Sequence, residues 1–154
     1  MLLFGTPKPA IAAASRKGAA LVRIAGAVIV GLVAAMLTVF VIEWLGHLLF
    51  PMPSDVELHD PEKTAQARAE IPLAARLLVV LAWFAGALAG GFIADRIGRS
   101  ASLAWVIAAL LIVAGIVNIL MIPQPVWMQI AAIASPLLGG LAAARLAAMR
   151  RQFR

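Results

Sequence analysis

The sequence predicts an all-α fold, an integral membrane four-helix bundle with both termini inside and a short helix in its first outer loop. Three observations predict it. Four long apolar runs occupy residues 21–50, 72–94, 102–122 and 126–144. Each approaches or exceeds the roughly 20 residues a helix needs to cross about 30 Å of hydrocarbon. Hydrophobic residues make up 64% of the chain and its mean hydropathy is +1.01, well beyond soluble proteins, in which apolar residues are near half. Lipid is therefore the solvent for much of this surface. The third observation is that the basic residues sort to one side of the spans.

That sorting sets the topology. Lys8, Arg16, Lys17 and Arg23 precede or open the first span, Arg96 and Arg99 lie between the second and third, and Arg145, Arg150, Arg151 and Arg154 close the chain. The other side has only Lys63, Arg68 and Arg76, against Asp55, Glu57, Asp60, Glu62 and Glu70 in the first outer connection. Basic loops stay cytoplasmic, so both termini are expected inside the inner membrane of a bacterium. The first apolar run is too long for a cleavable signal and reads as a retained span.

Taken in order, residues 1–18 form a cytoplasmic N-terminal segment, 19–148 a single transmembrane domain, and 149–154 a basic cytoplasmic tail. The helices are expected over about 20–50, 72–95, 101–122 and 126–148. The first is overlong for a bilayer and must tilt or project beyond it. In the outer loop 51–71, Asp60 before Pro61 and Glu62 is a helix start, predicting a short helix over 61–70. Pro51 and Pro53 end the first span, and Pro123 and Pro125 frame the second outer turn. Pro136 inside the fourth helix should kink it or free a carbonyl.

Small residues recur every fourth position: Ala82, Gly86, Gly90 and Ala94 on the second helix, Ala27, Gly31 and Ala35 on the first, Ser135, Gly139 and Ala143 on the fourth. Such stripes let backbones approach where no hydrophobic force acts between helices. They serve packing within the bundle or association with a second copy or another membrane protein. A faint echo of Gly90-Gly91, Ala94 and Arg96 in Gly139-Gly140, Ala143 and Arg145 raises a duplicated hairpin as a reading beside chance.

The chemistry-bearing residues cluster near the outer face. Glu43 and His47 are four apart on one side of the first helix. Measured from the prolines at the span ends, these two, Arg76 and Asn118 fall within one layer, to which the fourth helix adds Trp127 and Gln129. A lone charge there is expensive. The structural reading is a Glu43–Arg76 ion pair with His47 and Asn118 bonding across helices. The functional reading is a polar cavity where Glu43 takes up a proton or cation. A metal at Glu43 and His47, with His59 as a third ligand, is a weaker pattern. The chain has no cysteine, and its serines lack a histidine–acid partner. No cofactor is indicated. The net charge of +6 flanks spans instead of lining an aromatic groove, which argues against nucleic acid.

The link Gly91-Phe-Ile-Ala-Asp95-Arg96-Ile-Gly98-Arg99 resembles the loop between helices 2 and 3 of major facilitator superfamily transporters, a family of about twelve spans. Without that likeness it reads as a tight charged turn, with Gly98 making the bend. Across most of its length the chain resembles a group of uncharacterised bacterial four-span membrane proteins. The likeness rests on Glu43 with His47, Pro51 with Pro53, Trp83 with Gly86 and Gly91, then Asn118 and Pro123, Pro125 and Trp127. In that group the second outer turn is often Pro-His-Pro; here Gln124 stands at its centre. The resemblance carries no biochemical role.

Three functions follow as expectations. The first is a non-enzymatic structural or accessory membrane component, oligomeric or bound to another membrane protein. The second is a small proton- or ion-coupled transporter or channel using Glu43, similar in size to the small multidrug resistance exporters. The third is a membrane enzyme or metal site at Glu43 and His47.

Overall fold

The computed structural model describes residues 9–51, 71–122 and 124–152, with side chains from residue 15 onward. The short helix expected over 61–70, together with His59, Lys63, Arg68 and the acidic residues of the connection, lies outside the described residues. Four helices make up nearly all of the rest: α1 (Pro9–Leu49), α2 (Leu73–Gly98), α3 (Ser102–Met121) and α4 (Val126–Gln152). Each contains a stretch long and apolar enough to cross a membrane. The chain is an all-α, multi-pass four-helix membrane protein.

The described part of α1 already runs from Pro9, inside the segment assigned to the N-terminal region, because residues 10–15 are alanine-rich helix formers. Ala27 lies beside Gly98 at the end of α2. Residues 9–26 therefore run beyond the α2 terminus by about 27 Å, at 1.5 Å per residue. That is a larger projection than the turn or two expected from length alone.

α2 is the central column. It packs extensively on α1 and α4 and also on α3, α3 packs on α4, and α1 meets α3 lightly but does not approach α4. Three helices thus form an arc around the fourth, with a gap between α1 and α4. The contacts that close the arc are backbone-close. A Cβ added at Gly90 would strike the Gly31 carbonyl and Ala35, and one at Gly139 would strike the Phe84 carbonyl and Ala87. Gly31, Ala82, Gly86, Gly90 and Gly139 are all buried. Ile107, Leu111 and Pro136 are the largest fully buried side chains. The large exposed residues, such as Phe40, Trp44, Leu120 and Ile130, face outward, as lipid-facing positions do.

α4 passes through Pro136 as one helix. Proline leaves the Ala132 carbonyl without its usual i+4 donor, and that carbonyl points at Gly115 of α3, 3.2 Å from where a Cβ would stand. The α2–α3 link also departs from its expected construction. No glycine among the described residues has positive φ; Arg99 takes the left-handed conformation at φ 58°. Gly98 is glycine for space, because a Cβ there would collide with Leu103.

Candidate functional site

The register of α1 against α2 determines what the polar residues can touch. Val39 meets Gly86, Ala35 meets Gly90, Gly31 meets Ala94 and Ala27 meets Gly98. The numbers of facing residues add to 125 throughout, so Glu43 stands level with Ala82 and Trp83. The Trp83 side chain indeed hydrogen-bonds to Glu43, the indole N–H donating to the carboxylate. Glu43 is half-buried and His47, one turn along, is exposed beside it. Arg76 falls level with Leu49, about 9 Å further along the axis by helical rise. It is half-buried and engaged in a contact of its own.

The indole that holds Glu43 also lines a cavity of about 20 Å³ with Gly115, Asn118, Gln124, Ala132 and Ser135. Such a space accommodates about one water. Gln124 donates from Nε2 to Asn118 Oδ1 at 3.1 Å, and Gln129 donates from Nε2 to the Gln124 carbonyl at 2.9 Å. Ser135 is 5% exposed, and its Oγ has no hydrogen-bond partner among the described residues. Ala132, whose carbonyl faces a proline at i+4, and Ser135 are one turn apart on α4 and both line the space.

The outcome is a polar seam across all four helices: Glu43 on α1, Trp83 on α2, Asn118 on α3, and Ser135 and Gln129 on α4. The expected residues Glu43, His47, Arg76, Asn118 and Trp127 do not share one cavity. Of these, Asn118 lines the cavity behind Trp83, Glu43, His47 and Arg76 do not, and Trp127 is 38% exposed, off the cavity wall. Trp83, Gln124 and Ser135 complete the seam without having been singled out as site residues. The register in which the α1 and α2 stripes meet places Trp83 opposite Glu43, and that register is one of several the stripes allow. Nothing in the local pattern marks Ser135, which sits in an ordinary stripe.

A second buried polar group lies at the arginine-rich end. Asp95 is 2% exposed. Its Oδ1 accepts the Ala104 amide at 2.9 Å, and the Leu103 amide also donates to the carboxylate. The side chain thus caps the start of α3, whose amides lack partners there and carry partial positive charge. The charge of Arg151 also acts on it, while Oδ2 has no hydrogen-bond partner among the described residues. Arg96 and Arg99 point outward, exposed.

No group of three His, Asp or Glu side chains that could hold a metal ion occurs among the described residues. No protein-family model matches the chain, and neither does a curated protein or a solved structure. The functional reading rests on the geometry.

Proposed function

We propose that this chain is a structural or accessory component of the bacterial inner membrane, with both termini cytoplasmic, whose internal polar groups hold the helices in register. The observation that carries the reading is the Trp83–Glu43 bond. The one acidic group in the first span is engaged in joining α1 to α2, which is what a structural role requires. The small cavity beyond Trp83 supports the same reading, since a space for about one water is narrow for a substrate path. The exposed flanks of α1, which packs mainly on α2, offer room for a partner subunit or a second copy.

Flux measurements decide between this reading and a proton- or cation-coupled transporter. Proteoliposomes of the wild type should show no proton- or cation-linked flux above protein-free vesicles, while Glu43→Gln lowers the unfolding temperature in detergent. A wild-type flux that Glu43→Gln abolishes without loss of stability would replace the accessory role with transport. For the accessory role itself, mild detergent extraction should retain a stoichiometric partner or a second copy. Native mass spectrometry reads both. An enzymatic role at Glu43 and His47 would instead appear as bound metal or lipid turnover lost in His47→Ala.

A further inference from the structure

The gap between α1 and α4 is a groove of about 500 Å³, floored by Ala85, Leu88, Ala89 and Phe92 of α2 and walled by Thr38, Leu146 and Arg150. It is open along one side, and its shape follows from the arc. Alanines at 85 and 89 leave the floor low, and α1 and α4 stand apart on either side. The floor runs from the middle of α2 toward its arginine-rich end, about 10 Å from Ala85 to Phe92 at helical rise. That is the depth range of one leaflet's hydrocarbon. Its lining is apolar up to the end. The single hydroxyl, on Thr38, is already donated to the Ala34 carbonyl at 2.8 Å.

The terminus of the groove is different. The Arg150 guanidinium lies over the Phe92 ring, 4.9 Å from its centre, so a cation is stacked on the groove wall where a headgroup would lie. A ring contact positions the guanidinium plane without using its N–H donors. No carboxylate among the described residues pairs with it: Asp95 Oδ1 is bonded to Ala104 and Oδ2 has no partner. Arg145 and Arg151 lie on the same last turns of α4, and Arg96 and Arg99 close the same end of α2.

The geometry points to a specific anionic phospholipid site, with one acyl chain in the α1–α4 groove and the phosphate on Arg150. An apolar slot ending in a preoriented guanidinium complements an amphiphile with an anionic head. Basic pockets between helices recognise such lipids in this way, and a planar guanidinium binds phosphate oxygens in pairs. The groove takes lipid whether or not the bundle moves a substrate, so the lipid measurement and the flux measurement fail separately.

Native mass spectrometry of the detergent-purified protein, titrated with phosphatidylglycerol and with phosphatidylcholine of identical chains, tests it. Phosphatidylglycerol, whose head has a net charge, should bind more tightly than phosphatidylcholine, whose choline offsets its phosphate. Arg150→Ala should weaken phosphatidylglycerol by about fivefold, the order expected for one surface arginine, and phosphatidylcholine by less. Ala89→Phe, which raises the groove floor, should weaken both lipids. Arg16→Ala, on the projecting part of α1, should weaken neither. Excess inorganic phosphate should leave the bound lipid in place. Equal affinity for the two lipids would overturn the site, as would equal losses in Arg150→Ala and Arg16→Ala or displacement by phosphate alone. A dimer that Ala89→Phe dissociates would assign the groove to a second copy instead.

Discussion

A single indole N–H decides what the acidic residue of the first span does. A hydrogen bond between membrane helices contributes about 0.6 kcal/mol on average and up to about 1.7. Trp83→Phe keeps a ring in place and removes the donor, so it should destabilise the protein by about 1 kcal/mol. Glu43→Gln keeps an acceptor and should lose about half of that. Thermal unfolding in one detergent measures both, and unchanged midpoints would show that the bond carries no stability. Asp95 is readable in the same terms. Asp95→Ala removes the α3 cap and should cost about 1 kcal/mol, while Asp95→Asn, which retains the accepting oxygen, should be closer to neutral. Arg99 stands in a backbone region that disfavours side chains by about 1–2 kcal/mol. Arg99→Gly should therefore stabilise the fold by about 1 kcal/mol, measured the same way.

Between helices, glycine has two roles that only environment separates. Gly26 and Gly31 are five residues apart on α1. A Cβ at Gly26 meets nothing within 4 Å, whereas one at Gly31 would stand 2.7 Å from both the Ala94 Cβ and the Gly90 carbonyl. Gly26→Ala should raise stability by about 0.5–1 kcal/mol through helix propensity. Gly31→Ala should lower it by about 1–3 kcal/mol through overpacking. Opposite signs from two identical substitutions on one helix would establish that the α1–α2 approach is made through backbone. Two changes of the same sign would count against it. The stripes were legible because a four-residue period of small side chains is a sequence property. Which stripe meets which was not, since alanine-rich helices offer several equivalent matches.

For the whole molecule, orientation is the prediction on which the proposed biology turns. The chain contains no cysteine, so a single introduced thiol reports its own side without background. In intact cells, Ser54→Cys in the first connection should react with a membrane-impermeant maleimide, and Gln152→Cys at the end of α4 should react only after permeabilisation. The reverse pattern would place the arginine-rich end outside and move the groove to the other leaflet. Four spans were legible from the apolar runs alone, to within a few residues at most ends. α1 was the exception: residues 10–15 lie between Lys8 and the Arg16–Lys17 pair, so they do not read as membrane, yet they are too alanine-rich to stop a helix.

Hydropathy is additive along the chain, so the number of spans, their helical form and the sorting of charge to their ends could be read from residue order alone. Equal depth did not bring Glu43 and Asn118 into one cavity, because depth says nothing about rotation around each helix. The central place of α2, the meeting of Glu43 with Trp83 and the groove between α1 and α4 that ends at Arg150 emerged with the packing. Those outcomes depend on which small-residue faces come into contact, and that is a pairwise property of helices which no single segment encodes.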